Sequence, residues 1–356
     1  MTLRFEKRRL SEATFESAGV FDVDGDGVLD IVSGRWWYRG PDFKERHVIG
    51  EIRAQGEYYD DFSTIPLDIT GNGRPDFVTG GWWGKSLRWR ENPGKAGEEW
   101  PEHVIAETGS VETTRAWDID GDGRLEIVPN TPGDPLVAYK LVAPRSFEAR
   151  CIRDERQGHG LGFGDINGDG RGDLVLAGGW LEAPADPWTG EWTFRGEFDL
   201  GRPSIPIIVA DVNGDGLADI IAGQSHGYGL DWWEQRAGAG GERRWIRHPI
   251  DPFCSQYHDM FWLDIDGDGR PELVTGKRWR AHCGKDPGGD DPVGLYYFKW
   301  TGEGFAKQVI DYGEAEGGGG CGIHFAVADL DGNGRLDIVA PGKDGLFVYR
   351  NLGNDN

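Results

Sequence analysis

The sequence predicts an all-β protein built from repeated units, and three observations support this prediction. The chain has 58 glycines among 356 residues and a hydrophobic fraction of 38%, which suits many tight turns better than long helices. One acidic turn motif occurs seven times, and its copies are separated by 46 (22 to 68) to 65 (264 to 329) residues. Each interval is long enough for about four short strands.

Every copy of the motif has the form D-x-[D/N/T]-x-[D/N]-G-x-x-[D/E]. Oxygen ligands at alternate positions, followed by a glycine that lets the backbone turn back, are what Ca²⁺ requires. A bound dication would also offset the repulsion between the carboxylates. We therefore predict up to seven calcium ions. The predicted ligands are Asp22, Asp24, Asp26, Asp30, Asp68, Asn72, Asp76, Asp118, Asp120, Asp122, Glu126, Asp165, Asn167, Asp169, Asp173, Asp211, Asn213, Asp215, Asp219, Asp264, Asp266, Asp268, Glu272, Asp329, Asp331, Asn333 and Asp337.

Two other structures could explain this acidic motif. An EF-hand needs Glu at the twelfth position and flanking helices, whereas these loops carry their last acid at the ninth position and run into strand-like segments such as DIVSG. A metal-free turn rich in Asp and Asn is the second alternative. The loops that begin at Asp22, Asp118 and Asp264 carry four carboxylates each and are expected to bind most tightly. The loop at Asp68 carries two and is expected to bind least.

The repeated motif resembles the FG-GAP/VCBS repeat family over essentially the whole chain, residues 1–356. This resemblance implies one domain, a seven-bladed β-propeller with a calcium loop between the first and second strands of each blade. The segments around each loop agree, with an apolar run such as SIPIIVA before it and an aromatic strand such as LRWREN after it. The last blade stops at LFVYRN, so residues 1–10 are predicted to supply its outer strand and remove an open sheet edge.

The overall charge limits the partners that we expect. A formal net charge of −23 leaves no basic stripe to neutralise phosphates, which argues against nucleic acid and against anionic membranes. No apolar run reaches the ~18 residues needed to span a bilayer. The opening residues do not resemble a secretory signal, so we expect either an exported protein without its leader, which calcium loops favour, or a cytoplasmic one. The four cysteines leave one or two disulfides open.

The eight histidines fall into two groups according to their place in the repeat. His47, His103 and His248 share one position in the fourth strand, where a structural role is expected. The other five lie at the starts of first strands or after second strands. These five are His159, His226, His258, His282 and His324. Because the acidic loops mark the far end of the first strands, the five histidines are predicted to meet at the opposite rim of the central channel.

The same geometry brings other polar side chains to this rim, and the long sixth interval places an insertion there. Converging polar groups in a concave site are the usual sign of a binding site. The predicted substrate contacts are Arg35, Trp36, Tyr59, Asp61, Arg115, Gln224, His282 and His324.

A second resemblance concerns the segments SHGYGLDWWE and SQYHDMFWLDIDGDGRPELVTGKRWRAHCGKDP. They look like segments of the propeller domain of the aldos-2-ulose dehydratase (1,5-anhydrofructose dehydratase) family. The resemblance implies elimination of water from a keto-sugar such as 1,5-anhydrofructose, at a metal-assisted site in the propeller. The fungal enzyme also carries cupin domains, which this sequence lacks.

The rim residues permit such an elimination, which needs a base, a positive group for the enolate and an acid for the departing oxygen. We predict His258 as the base. We also predict that Lys277, Arg278 or a metal stabilises the enolate and that Tyr257 or His226 donates the proton. If three of His159, His226, His258 and His324 converge, they could hold Zn²⁺ or another divalent transition metal.

Two other functions also fit these residues. A lyase that acts on uronate-containing polysaccharides would use similar acid–base groups. A calcium-stabilised propeller that binds a glycan or a protein without catalysis is the alternative from another class. The concentration of titratable bases at one rim favours an enzyme, and the dehydratase resemblance makes a carbohydrate the expected substrate.

Overall fold

The computed structural model describes residues 2–354, which form seven antiparallel four-stranded sheets arranged as the blades of a ring. This confirms the predicted seven-bladed β-propeller. Residues 1, 355 and 356 of the predicted domain lie outside the described residues. Within residues 2–354, no helix has the length and apolar character needed to cross a bilayer.

The strands follow the repeat, with one blade for each acidic loop. The chain opens with β1 (Leu3–Ser11). Blade 1 comprises β2 (Gly19–Phe21), β3 (Asp30–Ser33), β4 (Trp36–Tyr38) and β5 (Arg46–Val48). A small hairpin follows, made of β6 (Ala54–Gln55) and β7 (Tyr58–Tyr59). Blade 2 comprises β8 (Ile65–Leu67), β9 (Asp76–Gly80), β10 (Ser86–Arg90) and β11 (Glu102–Glu107). Blade 3 comprises β12 (Thr113–Trp117), β13 (Glu126–Asn130), β14 (Leu136–Ala143) and β15 (Ser146–Arg153). Blade 4 comprises β16 (Gly162–Gly164), β17 (Asp173–Leu176), β18 (Gly179–Glu182) and β19 (Thr193–Arg195).

The remaining three blades complete the ring. Blade 5 comprises β20 (Ile208–Ala210), β21 (Asp219–Gly223), β22 (Leu230–Ala237) and β23 (Arg243–Pro249). Blade 6 comprises β24 (Tyr257–Leu263), β25 (Glu272–Lys277), β26 (Val293–Trp300) and β27 (Phe305–Gly313), with a 3₁₀ turn at Ala281–Gly284 between β25 and β26. Blade 7 comprises β28 (Ala326–Ala328), β29 (Asp337–Gly342) and β30 (Gly345–Asn354).

The first strand of the chain completes the last blade, as predicted. The sheet order in blade 7 is β1-β30-β29-β28, and β1 pairs antiparallel with β30 from Leu3 opposite Asn354 to Ser11 opposite Leu346. Leu3 is buried, and its amide donates to the Tyr297 hydroxyl of blade 6. The ring is therefore closed by strands from both ends of the described chain.

The core lies between neighbouring blades. Second strands such as β21 are buried along their whole length, as expected for strands covered on both faces. One apolar cluster, for example, joins Ile221 and Trp232 of blade 5 to Met260 and Leu273 of blade 6. Blade-to-blade packing of this kind fixes where each first strand stands around the channel.

All first strands run in the same direction along the channel. Parallel bridges join the starts of neighbouring first strands, for example Gly162 with Ile207. The residues before each first strand therefore meet at one end of the channel, which we call the entry end, and the acidic loops lie at the other. Tyr58 of the hairpin and Cys283 of the insertion after β25 pack together at the entry end. Cys151, Cys254, Cys283 and Cys321 are free thiols.

Candidate functional site

A cluster of ionisable side chains lies at the entry end of the channel. Glu112, His159 and His258 each lie six residues before the first acid of their loops (118, 165 and 264). The equivalent starting position of three first strands brings them together: His258 Nε2 is 3.1 Å and His159 Nε2 is 3.5 Å from the same Glu112 oxygen. The structure thus joins two of the predicted histidines through a glutamate that the sequence interpretation did not single out.

His226 joins this group from the segment after β21. Its ring centroid lies 4.7 Å from that of His159 and 6.1 Å from that of His258. One potential ligand atom from each of Glu112, His159, His226 and His258 lies within 4.8 Å of the other three. We call these four residues the histidine–glutamate cluster.

Hydrogen bonds outside the cluster set the tautomers of two of its imidazoles. His159 Nδ1 is 2.8 Å from the Pro203 carbonyl oxygen, which can only accept, so this nitrogen carries the proton. His159 Nε2 therefore carries a lone pair, and this buried nitrogen has no hydrogen-bond partner. His226 Nδ1 is 2.8 Å from Asp286 Oδ2, which leaves Nε2 of that ring unprotonated in the neutral form. Such outer partners typically orient metal-binding histidines.

Burial sets the charge state of the cluster. Burial lowers the pKa of His226 to about 4 and holds the pKa of His258 well below its ordinary value. Burial opposes ionisation of Glu112, but its contacts with the imidazoles of His159 and His258 outweigh burial and hold its pKa well below the usual range. Neutral imidazoles and an ionised carboxylate are the donor forms that a divalent transition metal needs.

A buried ion pair borders the cluster. Arg278 Nε lies 2.8 Å and Nη2 lies 3.3 Å from the two carboxylate oxygens of Glu16, and both side chains are 3% exposed. The guanidinium is near enough to help lower the pKa of His226 and His258. Glu16 also lies six residues before its loop acid (22), so it shares the strand position of Glu112.

The insertion after β25 carries a second carboxylate–histidine contact. Asp286 binds His226 through one oxygen and His282 through the other, 2.9 Å from His282 Nδ1. The two imidazoles stack with centroids 4.5 Å apart, and the side chain of His282 is 54% exposed. Arg280, His282 and Cys283 have positive φ angles of 52°, 48° and 58°, a strained conformation that is often found at functional sites. His282 therefore links solvent to the cluster.

Two predicted catalytic residues are not brought to the cluster. Tyr257 donates its hydroxyl proton to Asp251 at 2.7 Å, and Lys277 Nζ lies against the backbone carbonyls of residues 278 and 289. The physical reason is strand alternation, because consecutive side chains point to opposite faces. Tyr257 and Lys277 are the direct neighbours of His258 and Arg278, and they face the space between blades.

Arg115 and His324 lie farther along the channel. The Arg115 guanidinium bridges the channel to Asp259 at 2.5 Å, and His324 Nδ1 lies 3.2 Å from a backbone carbonyl. Both line a cavity of about 520 Å³ whose walls include Trp117 and Trp262. Burial lowers the pKa of His324 to about 3. His324 is thus a neutral residue of the channel, and it does not belong to the histidine–glutamate cluster.

Arg35 and Trp36 belong to the outer surface of blade 1. Arg35 pairs with Glu51 at 2.6 Å and stacks on the Trp36 ring at 5.0 Å. The structure therefore does not bring either of these two predicted substrate contacts to the cluster.

Three other predicted substrate contacts are engaged within the fold. Tyr59 packs on Phe15 with ring centroids 4.4 Å apart. Asp61 is buried and accepts hydrogen bonds from two hydroxyl groups, and the Gln224 amide donates to a backbone carbonyl. These contacts give all three residues a structural role.

The acidic loops form at the far end of the channel with one common hydrogen-bond pattern. In blade 1, Asp22 accepts the amides of residues 25, 26 and 27 at 2.8, 3.1 and 2.9 Å, and the buried Asp30 accepts those of residues 23 and 40. Gly25 and Gly27 have φ angles of 78° and 84°, which glycine adopts without strain. The motif thus specifies the turn through backbone contacts.

Comparison with known proteins supports the repeat and the fold. The FG-GAP-like repeat family matches residues 68–128 and 211–275, so the chain contains FG-GAP-like repeats. No curated protein matches the sequence. The resemblance to aldos-2-ulose dehydratase therefore stays a hypothesis from the sequence.

Solved structures of low sequence identity share the architecture. A lectin of Agrocybe aegerita, described for its specific recognition of non-reducing terminal N-acetylglucosamine, is 16% identical and has a TM-score of 0.50, with 84% of this chain and 80% of that chain covered. BBS1N in complex with ARL6DN, soaked with lead, is 11% identical with a TM-score of 0.55, covering 100% and 98%. The mercury-soaked form of that complex is 10% identical and has a TM-score of 0.57, with 99% of this chain and 97% of that chain covered. At these identities the likeness shows the fold alone.

Proposed function

We propose that this chain, a β-propeller with FG-GAP-like repeats, is a metal-dependent lyase that removes water from a keto-sugar at the histidine–glutamate cluster. One observation carries the proposal: three imidazoles and a carboxylate, each with a side chain at most 10% exposed, lie within reach of a single ion, and outer partners orient two of the rings. A propeller fold by itself assigns no chemistry.

The donor set of the cluster fits a divalent transition metal. Imidazole nitrogen and carboxylate oxygen suit Zn²⁺ and its neighbours in the first transition row. The unpartnered, buried Nε2 of His159 supports this fit, because a buried polar atom without a partner is costly. When bound, such an ion would polarise the carbonyl oxygen of the sugar.

Arg278 is the positive group that we assign to the enolate. Its guanidinium is held by Glu16 next to the cluster and is buried, so its charge acts in a medium with little water to screen it. Preorganised charge of this kind stabilises the negative oxygen that develops when a C–H next to a carbonyl loses its proton.

His282 is the base that the geometry favours. The sequence interpretation gave this role to His258, but His258 is fully buried and fits a metal ligand better. His282 is exposed, and its Nδ1 faces Asp286, which leaves Nε2 free to accept a proton. In the proposed step Nε2 takes the proton from the carbon next to the carbonyl and returns it to the departing hydroxyl. The products are one water and the unsaturated keto-sugar.

A glycan-binding propeller without catalysis is the rival function. The Agrocybe aegerita lectin is an example of a glycan-binding protein with a similar fold, but its 16% identity carries no residue-level argument. We favour the enzyme because the cluster places oriented bases and a buried cation side by side.

The proposal is tested by incubating the purified protein, loaded with Zn²⁺, with 1,5-anhydrofructose and separately with a polyuronate. We expect a new ultraviolet-absorbing unsaturated product from the keto-sugar. His282→Gln should lower its rate by about 10²- to 10⁴-fold while the bound zinc is retained. His103→Gln, a change in an outer strand far from the cluster, serves as the control.

Each outcome has a distinct meaning. Product from the polyuronate alone would keep the lyase and change its substrate class. Full activity of His282→Gln would remove His282 from the base role. Absence of product from both substrates would refute the lyase and leave glycan binding as the better account.

A further inference from the structure

One position of the third strand faces every acidic loop, and it carries a basic residue in four blades and an acidic residue in three. In blade 6, Leu273 pairs with Phe298, so the next pair sets Lys299 against Glu272, the last acid of the loop. The same register holds in the other blades. The residues at this facing position, in blade order, are Arg39, Glu91, Lys140, Glu182, Glu234, Lys299 and Arg350.

The residue type at the facing position correlates with the residue type at the third position of the motif in all seven blades. The third-position residues, in the same order, are Asp24, Thr70, Asp120, Asn167, Asn213, Asp266 and Asp331. Each Asp is matched by a Lys or Arg, and each Asn or Thr is matched by a Glu. Seven matches out of seven indicate that the two positions act together.

Direct contacts explain this match in the blades with a lysine. Lys299 Nζ contacts Asp266 and lies 3.0 Å from Asp268 and 3.5 Å from Glu272. In blade 3, Lys140 Nζ likewise contacts three acids of its loop, at 2.6 Å from the fifth-position acid and 3.6 Å from the ninth. Each ammonium group thus lies among the oxygens that were predicted to bind calcium.

Arginines make the equivalent contacts in blades 1 and 7. Arg39 reaches the third- and fifth-position acids of its loop at 3.0 and 3.1 Å. Arg350 Nη1 lies 3.0 Å from the ninth-position acid and 3.6 Å from the third-position acid. In these four blades the residue at the facing position therefore neutralises part of the charge of its own loop.

The loops of blades 4 and 5 have the opposite arrangement. Asn213 Nδ2 lies 3.0 Å from Asp215 and 3.2 Å from Glu234, so the facing residue adds a carboxylate to the loop. Blade 4 repeats this arrangement. Arg171 also reaches the loop of blade 4, where it contacts Asp169. In blade 2 the facing Glu91 pairs with Arg145 of blade 3.

We propose that Arg39, Lys140, Lys299 and Arg350 stand in for the divalent cation, so that the loops of blades 1, 3, 6 and 7 do not take calcium. An ammonium or guanidinium group supplies positive charge and several donors to the same carboxylates. Calcium would need six to eight oxygen ligands at 2.3–2.6 Å and would meet a like charge a few ångströms away. At most three loops, those of blades 2, 4 and 5, remain for calcium.

The first test is the calcium content of the full-length protein. The protein is equilibrated with millimolar Ca²⁺, and bound calcium is measured by equilibrium dialysis with elemental analysis. Three or fewer ions per chain are expected. Four or more would overturn the proposal. Because calcium is measured separately from zinc, this result does not depend on the proposed lyase function.

The second test converts a neutralised loop into an open one. Lys299→Glu gives blade 6 the facing residue of blades 4 and 5, and we expect one additional calcium per chain and a melting temperature that rises with calcium. Lys44→Glu makes the same charge change at a side chain that is 75% exposed and outside the loops; it should add none. Lys299→Gln, which repels the loop acids less, covers the case in which Lys299→Glu does not fold. A folded variant that gains no calcium would refute the proposal.

Discussion

Glu112 shows how one carboxylate can organise several histidines. It lies directly before β12, where it contacts His159 and His258 from two other blades. The spacing of six residues before the loop acid would have identified it, because His159 and His258 have the same spacing. The positions of the histidines alone do not reveal Glu112 and Glu16. Tyr257 and Lys277 were misplaced for the opposite reason, since residues next to a channel residue face away from it.

Asp286→Asn tests whether Asp286 orients a metal ligand. The amide cannot replace the charged acceptor of His226 Nδ1, so we expect zinc affinity to fall about 10- to 100-fold without loss of the fold. Zinc competition titration measures this change. Asp290→Asn is the matched control, since Asp290 is 65% exposed and pairs with Arg280. Equal affinities in the two variants would contradict the assignment.

The buried pair of Glu16 and Arg278 gives a second prediction at this scale. Glu16→Gln leaves the guanidinium buried without its counterion, so the free energy of unfolding should fall by about 3–5 kcal/mol. Replacing both residues, as in Glu16→Leu with Arg278→Met, should cost less because no uncompensated charge remains. Urea denaturation of the two variants provides the comparison. A double variant less stable than Glu16→Gln would argue against this account.

At the element scale, the closing strand β1 shows what a repeat pattern can predict. Counting strands against loops leaves the last blade one strand short, and the N-terminal segment forms the missing strand. The insertion between β25 and β26 has no counterpart in the other blades. Its strained turn and the contact of Asp286 with two histidines therefore could not be inferred from the repeat.

Leu3→Ala tests the contribution of β1 to the ring. Leu3 is 6% exposed in the core between blades 6 and 7, so truncation should lower the free energy of unfolding by about 2–5 kcal/mol. Leu352→Ala in the neighbouring strand β30 removes the same atoms from a residue that is 45% exposed and should cost less than about 0.5 kcal/mol. Chemical denaturation distinguishes the two. Similar small losses would mean that β1 does not secure the ring.

At the scale of the whole molecule, the two ends of the channel are separate. His258 and Asp264 are joined by six residues of extended strand, which span about 20 Å. The histidine–glutamate cluster and the acidic loops therefore share no ligand among the described residues, although the same strands position both.

This separation predicts that substitutions at the two ends have additive effects on stability. The loss of stability in a chain that carries both Asp286→Asn and Lys299→Glu should equal the sum of the single losses to within about 0.5 kcal/mol. Only Lys299→Glu should change the calcium content, and only Asp286→Asn should change the zinc affinity. A coupling energy above 1 kcal/mol would show that the ends communicate.

The pairing of β1 with β30 also has a consequence during translation. Residues 12–344 must leave the ribosome before the partner of β1 emerges, which at about 5–20 residues per second takes roughly 20–70 s. Throughout that time the nascent chain carries an unpaired strand edge, and a cell that makes this protein must shield it.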